Sequence, residues 1–550
     1  MAAMHWNVTS DSNPQNLADF ESILLHNRGI TVPSEFFNPL SPLELSLSSV
    51  GIDPNQVTIA LKRLQYAHEQ QEEILVFGDY DADGICAAAV MWLALHHAGY
   101  KAKPFIPHRE KHGYGISHRA IDDILAGKPP KLIITVDNGI VAHEPIQRLR
   151  DAGIDVIVTD HHLPESQLPP ALAIVHTTQL CGTTVAWMFA KALVPESVVD
   201  LLDFCGIATI ADQVPLKNAN RSFATAGIKA LQKTQRVGLT ELMAVANLDQ
   251  ARIDATAVNY GLAPRINAMG RLSHGLEALR LLCTSNVARA RALMMTLQST
   301  NVRRQDLTET MIAQAQLQAD SWQDEHLIVV SSPDFHEGVI GLIAGKLMEQ
   351  YHKPAIVIAV GKLSAKASAR SVAGVNIVEL IRQVRDDLTE VGGHPMAAGF
   401  GLLPDKIETV KHHLLKIARE QIRSQLLIPV VTLDCVIEAG LLSTELAAIL
   451  EKFAPFGSGN TEPILGLKGM LVIDAQTMGK TNKHLRLLLS HPDLDKPLSA
   501  IFWNKADLAE QLKLGAPIEI ASVIEINEWK GRKNLQLRLK DIKSIPLEAV

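Results

Sequence analysis

Four apolar segments in the first half of the chain run into acid. Ile74 to Phe77 leads into Gly78-Asp79-Tyr80-Asp81-Ala82-Asp83-Gly84, and Leu132 to Val136 into Asp137-Asn138-Gly139. Asp155 to Thr159 leads into Asp160-His161-His162, and Ile207 to Ala211 into Asp212. If all four are neighbouring parallel strands, their acids converge on one edge of a sheet. Two carboxylates about 4 Å apart repel by roughly 4 kcal/mol at an effective dielectric near 20, so such a cluster requires positive charge among its members. Oxygen donors with one or two imidazoles suit Mn²⁺ or Mg²⁺ better than zinc, which favours sulfur and nitrogen. Two such ions can clamp an in-line displacement at phosphorus, so the indicated chemistry is hydrolysis of a phosphoester or phosphoanhydride. The competing reading is local: a lone aspartate at a strand end is usually a turn or N-cap residue, and Asp79 fits that description even inside its motif. A calcium-loop reading of DxDxDG fails because the closing glutamate of an EF-hand is missing.

The elements that must position these acids follow from periodicity. Short Ile- and Val-rich runs alternate with helix-like stretches from about residue 74, which predicts a parallel sheet covered on both faces with ligands outside the strands' carboxyl ends. A second strand-and-helix series runs from Leu327 to about Ile417 and includes LIVV, AIVIA and a helix with Gly338, Gly341 and Gly345 on one face, read as a packing surface. Residues 276–332 contain neither Gly nor Pro, which predicts a long connecting helix that holds two lobes at a fixed spacing. From about residue 430 the segments VVTLDCVI, LRLLLS, IEIASVIEI and LQLRLK alternate, predicting a small antiparallel barrel. Residues 1 to about 55 carry little signal. The fold class is therefore α/β: two α/β lobes joined by a long helix, plus a C-terminal barrel. The expected division is an N-terminal segment 1–50, a first lobe 51–215, a helical connector 216–320, a second lobe 321–425 and a barrel 430–545.

With 550 residues, about three or four domains are expected. A hydrophobic fraction of 47% excludes a disordered chain, and no apolar run reaches the roughly 18 to 20 residues of a membrane span. The first residues lack a basic region followed by an apolar core, so a secretory signal is not expected. Five cysteines without a CxxC pair read as reduced thiols, and a cytoplasmic location is expected. The net charge of -7 speaks against a nucleic-acid coat but leaves room for a local basic groove. Residues 529–543 supply one, with six Lys or Arg and one Asp; Lys530, Arg532 and Lys533 beside Trp529 suit a strand that tracks a phosphate backbone and stacks a base. His96-His97 and His412-His413 follow no acid-ended strand and are read as incidental pairs.

DYDADG, DHH and IADQVPL together resemble the DHH phosphoesterase superfamily. RINAMGRL (265–272), SARS (368–371) and GGHPMAAGF (392–400) extend the resemblance to the bacterial RecJ single-strand-specific exonucleases over roughly residues 50–545. The resemblance implies a DHH domain, a DHH-associated domain and an OB-fold barrel. It implies Asp81, Asp83, Asp137, His161 and Asp212 as ligands of two Mn²⁺ or Mg²⁺ ions, with Asp137 bridging, Asp79 and Asp160 orienting neighbouring ligands, and His162 donating to the phosphate or leaving oxygen. It also implies an anion pocket for a 5′ end at Arg109, Arg271, Arg304, Ser368 and Arg370, with Arg303 as the alternative register for Arg304 and with Gly393 and His394 offering backbone N–H groups.

The activity implied is 5′ to 3′ hydrolysis of single-stranded DNA in repair and recombination. A helicase and a single-stranded-DNA-binding protein are the implied partners, with no membrane association and a monomeric chain. The alternatives are a relative acting on oligoribonucleotides, phosphoadenosine phosphate or cyclic dinucleotides, and a non-catalytic DNA-binding scaffold. Three departures stand out. Phe77 occupies the position where pyrophosphatases of the superfamily have a histidine ligand, Asn138 stands where a small residue is frequent, and the stretch 176–193 is short.

Overall fold

Alternation along the first-lobe strands fixes a two-sided sheet. Leu132, Ile134 and Val136 enter one buried cluster with the helix Ala82–His97, whereas Ile133, Val156 and Val158 enter another with the helices His118–Ala126 and His143–Asp151. The computed structural model, which describes residues 4–322, 324–529 and 532–544, orders five parallel strands as Lys101–Phe105, Glu73–Phe77, Leu132–Val136, Asp155–Asp160 and Ala173–His176. Lys101–Phe105 lies at the sheet edge, which tolerates Pro104. Three acid-bearing loops leave one edge of this sheet.

The fourth does not come from a strand. Ile207–Ala211 is the end of the helix Leu202–Ala211, with Asp212 as its C-cap residue. A short apolar run fits strand or helix equally by periodicity, and packing decides: Gly206 meets Gly227 of the helix Asn218–Leu231 so closely that a Cβ on Gly227 would lie 2.3 Å from the Gly206 Cα. The connector also differs from one helix. It is Leu276–Cys283 followed by Val287–Ala319, and Asn286 caps the second by accepting from the Arg289 N–H. This 33-residue helix spans about 50 Å at 1.5 Å per residue.

In the second lobe the strand order is Leu388–His394, Ala397–Leu402, Ala365–Arg370, Ala355–Val360 and Ile328–Ser332. Gly338 precedes the helix Ile340–Tyr351, so the glycines do not form one helical packing face. A Cβ on Gly338 would lie 2.3 Å from the Arg271 carbonyl, and one on Gly341 would lie 3.1 Å from both Arg370 Nη2 and Ser368 Oγ. These glycines let the lobes close around arginines.

The barrel closes through Leu465–Met478, His484–Ser490, Leu498–Phe502, Arg532–Ser544 and Pro517–Trp529, the last pairing back to the first. It is not wholly antiparallel, because Leu498–Phe502 runs parallel to Arg532–Ser544. VVTLDCVI splits into Val430–Leu433 and Cys435–Ile437; the former pairs in parallel with the N-terminal strand His5–Val8. The N-terminal segment thus belongs with the barrel. Phe20 and Leu24 of the helix Leu17–Asn27 are fully buried in its core, each contributing about 1.5 to 3 kcal/mol by burial.

Candidate active site

Asp83 carries the firmest anchor in the acid cluster. Its two carboxylate oxygens accept the backbone N–H groups of Gly182 and Thr183 at 2.7 Å each, and the Thr183 hydroxyl donates to the Asp83 carbonyl at 2.8 Å. Those donors open the helix Gly182–Leu193, whose free N–H groups suit an anion. The short 176–193 stretch therefore builds the floor of the site.

His161 Nε2 stands 3.2 Å from Asp137 Oδ1, 3.7 Å from Asp212 Oδ2 and 3.9 Å from Asp83 Oδ2. Donor atoms of Asp83, His161 and Asp212 lie within 4.8 Å of one another, as do those of Asp79, Asp81 and Asp137, and those of Asp137, His161 and His162. Asp137 occupies the left-handed region at φ 62°, which is unusual for a residue with a Cβ and aims its carboxylate from the strand end into the cluster. Asp137 Oδ1 and Asp79 Oδ1 are buried without a hydrogen-bond donor. Burial, then the neighbouring Asp83 charge, hold the Asp137 carboxyl well above the usual range; the same two causes push Asp212 up to about 9. Carboxylate oxygens of Asp83, Asp137 and Asp212 around one imidazole nitrogen, with orphaned oxygens on Asp137 and Asp79, are the donor set of a hard divalent cation, and the residues fit Mn²⁺ or Mg²⁺.

Asp160 serves its neighbours. It accepts from the N–H groups of Ile140, His161 and His162, and its Oδ1 lies 2.7 Å from His162 Nδ1. Burial opposes the charge of that imidazole, but the bond and charge of Asp160 prevail and raise His162 to about 9. Fixing Nδ1 in this way leaves Nε2 as the reactive nitrogen. Asn138 turns away from the metal cluster and donates to the Val136 carbonyl at 2.8 Å. Phe77 stacks on Phe105 with centroids 5.1 Å apart, inside the core beneath the helices on the other face.

A second cluster is cationic. Arg271, Arg109, Arg370 and Arg304 come from the first lobe, the connector and the second lobe, yet they interact electrostatically: burial first, then the other three guanidiniums, lower Arg271 to about 10. Arg271 Nη1 donates to the Gly338 carbonyl at 3.2 Å, and Arg370 Nη1 lies 3.3 Å from Ser368 Oγ. Arg304 is held by the buried Asn301 at 2.8 Å and its Nε is buried without a partner, whereas Arg303 is exposed. Like charges concentrated in this way could hold an anion. Gly393 and His394 lie on the edge strand, with His394, Ala397 and Arg370 in one row across the sheet. Asn267, which carries no sequence signal of its own, accepts from the Ala82 N–H at 2.7 Å and ties the RINAMGRL helix to the acid loop.

The basic C-terminal strand is less available than its charge count suggests. Arg538 is paired with Glu525 and Glu462, and Lys543 lies 4.1 Å from the Trp6 ring centroid. Lys533 is exposed. Lys530 lies outside the described residues, and Arg532 is described only as the first residue of its strand.

The sequence matches the DHH family N-terminal domain over 73–209, the DHHA1 domain over 324–420 and the RecJ OB domain over 433–541. The single-stranded-DNA-specific exonuclease RecJ of Thermus thermophilus is 33% identical over 513 residues, which cover 90% of this chain and 72% of that protein. The chain belongs to the RecJ family. RecJ of Bacillus subtilis is 35% identical over 494 residues, 88% of this chain, and the match spans 62% of the relative's own length. The crystal structure of Thermus thermophilus RecJ in complex with Mn²⁺ superposes with a TM-score of 0.83 at 29% identity, covering 98% of this chain and 80% of that one; the Mg²⁺ complex gives 0.77 at 28% identity, covering 98% and 79%. Two metals seen in RecJ crystals are thus the two that the donor set here suits. Among the described residues no helix is long and apolar enough to cross a membrane.

Proposed function

We propose that this RecJ-family chain is a metal-dependent exonuclease that removes nucleotides from the 5′ end of single-stranded DNA. The observation that carries this reading is the pairing of an orphaned acid–imidazole cluster with a separate group of four electrostatically coupled arginines from both lobes and the connector. The first hydrolyses a phosphodiester; the second holds a terminal phosphate and so makes the cleavage an end reaction. The 33-residue helix supports the single-strand restriction, because it would hold the two lobes at a fixed spacing.

In this reading Asp81, Asp83, Asp137, His161 and Asp212 would hold two divalent ions, and Asp79 would orient neighbouring ligands. Such ions supply charge neutralisation at phosphorus and an acidified water for in-line attack. Asp160 keeps the imidazole of His162 oriented through Nδ1. When the phosphorus–oxygen bond breaks, the departing 3′-oxygen of the terminal nucleotide takes the Nε2 proton. Ser368, Arg109, Arg271, Arg304 and Arg370 anchor the 5′-phosphate. The protein acts as a cytoplasmic monomer, with a helicase and a single-stranded-DNA-binding protein supplying its substrate; sedimentation at working concentration checks the monomer.

Digestion with Mn²⁺ of 5′- and 3′-labelled single-stranded DNA, duplex DNA, short RNA and cyclic dinucleotides tests the activity. A 5′ label released first from single-stranded DNA is the expected result; preference for short RNA or cyclic dinucleotides transfers the chain to another phosphodiesterase class. Arg370→Ala is expected to raise KM about tenfold on 5′-phosphorylated ends, the worth of one charge-assisted hydrogen bond, and to leave 5′-hydroxyl ends unchanged. Equal losses on both ends would remove Arg370 from the phosphate pocket. Because Phe77 replaces a possible imidazole ligand and packs in the core, titration calorimetry of Mn²⁺ is expected to show one tight and one weak site, and two equally tight sites would refute this.

A further inference from the structure

The imidazole of His162 is fully engaged in this structure. Nδ1 is taken by Asp160, and Nε2 lies 3.0 Å from the hydroxyl of Tyr114. A substrate oxygen that receives the Nε2 proton has to take the place of that hydroxyl, and the tyrosine is built to yield it. Tyr114 is 55% exposed, and it stands between Gly113 and Gly115, both with positive φ, at 80° and 62°. A Cβ on Gly113 would meet nothing within 4 Å, whereas one on Gly115 would touch the Asn138 Cβ at 3.8 Å, so the turn is open on its Gly113 side.

Tyr114 also closes a row of rings that joins the two clusters. The Arg109 guanidinium lies 5.4 Å from the Tyr80 ring centroid, Tyr80 meets Tyr114 at 6.3 Å and 80°, and Tyr114 meets His162 at 6.1 Å and 79°. Resting on the exonuclease reading, the terminal nucleotide has its 5′-phosphate at the arginines and its 3′-oxygen at His162. Its sugar and base must then cross the surface made by Tyr80 and Tyr114. Tyr80 is half-buried beneath Arg109 and cannot easily offer a face, whereas Tyr114 can.

We propose that Tyr114 is a substrate-displaced cap: its hydroxyl holds His162 Nε2 until the terminal nucleotide arrives, and its ring then swings aside and stacks on the terminal base. The assignment makes Tyr114 a positioning residue that selects ends carrying an intact base. The cap keeps the imidazole aimed when the cleft is empty, and stacking seats the 3′-oxygen against Nε2.

The test compares 5′-phosphorylated oligonucleotides whose first residue is normal or abasic, using the native chain, Tyr114→Leu and Tyr114→Phe. The native enzyme is expected to lose about tenfold to a hundredfold in kcat/KM on the abasic end, the range of one base–aromatic stack. Tyr114→Leu should process both ends at the same reduced rate, and Tyr114→Phe should keep the native preference because the ring remains. A leucine variant that retains the full preference, or a native enzyme without one, overturns the proposal. A second arm needs no turnover: with chelator present, 2-aminopurine at the first position should be quenched on binding the native and phenylalanine proteins but not the leucine protein. Equal quenching in all three overturns the stacking role. If the native protein degrades no DNA at all, the exonuclease reading fails, while the quenching arm still decides the stacking.

Discussion

Asp137→Ala is expected to lower kcat by more than about 10³-fold, beyond the 10- to 100-fold typical of residues that only support a ligand. Asp137 is the one carboxylate shared by two of the three donor groups, its Oδ1 is buried without a donor, and it is 3.2 Å from His161 Nε2. Alanine removes the carboxylate that links the halves of the cluster and leaves the strand Leu132–Val136 intact. The fold should survive. In chelator the variant's melting temperature should equal or exceed that of the native protein, because a buried acid crowded by Asp83 and Asp81 has been deleted. Steady-state kinetics with Mn²⁺ and a thermal melt check both halves. Activity within about tenfold of native would place Asp137 outside the reacting centre.

Gly182→Ala should be the next most damaging change, although the residue bears no functional group. A Cβ there would lie 2.3 Å from Asp137 Oδ1, 2.5 Å from its Cβ and 2.6 Å from its Cγ. Either Asp137 or the helix start that holds Asp83 must shift by about an ångström, and a misplacement of that size costs about 10²-fold in rate. The steric strain should also cost about 1 to 3 kcal/mol of stability. The expected signature is a fall in kcat with weakened Mn²⁺ binding by calorimetry, and native-like values of both would show that the site absorbs the extra carbon. Gly182 carries a signal in the sequence only in retrospect, as the glycine opening a helix just after the strand Ala173–His176.

Asp212 shows where sequence reading succeeds for an incomplete reason. Its place in the cluster was legible from an apolar run ending in acid, yet that run is helical, and the acid is delivered by a helix C-terminus. Leu-, Ile- and Ala-rich segments of five residues satisfy either period, and the Gly206–Gly227 backbone contact that selects helix involves residues 21 positions apart. The C-terminal strand shows the opposite case. Its charge was legible, but Glu462 and Glu525 pair with Arg538 and Trp6 meets Lys543, and of these partners Glu462 and Trp6 are remote in sequence. Tyr114 carries no signal of its own beside Arg109, because a tyrosine between glycines reads as a turn until His162 is found at its hydroxyl.

The sequence by itself determined the parallel sheet, the acids at its carboxyl edge, the histidine pair and the preference for hard divalent ions. Each depends on local periodicity and on the rule that parallel strands end together, so short windows suffice. Only the tertiary structure decided that His161 faces three carboxylates at once, that Arg271 feels the charges of Arg109, Arg304 and Arg370, and that His5–Val8 pairs with Val430–Leu433 beside the barrel. Those pairings join residues from tens to hundreds of positions apart. They are set by how the lobes close on each other, and hydrophobic burial and glycine contacts enforce that closure without writing it into any local pattern.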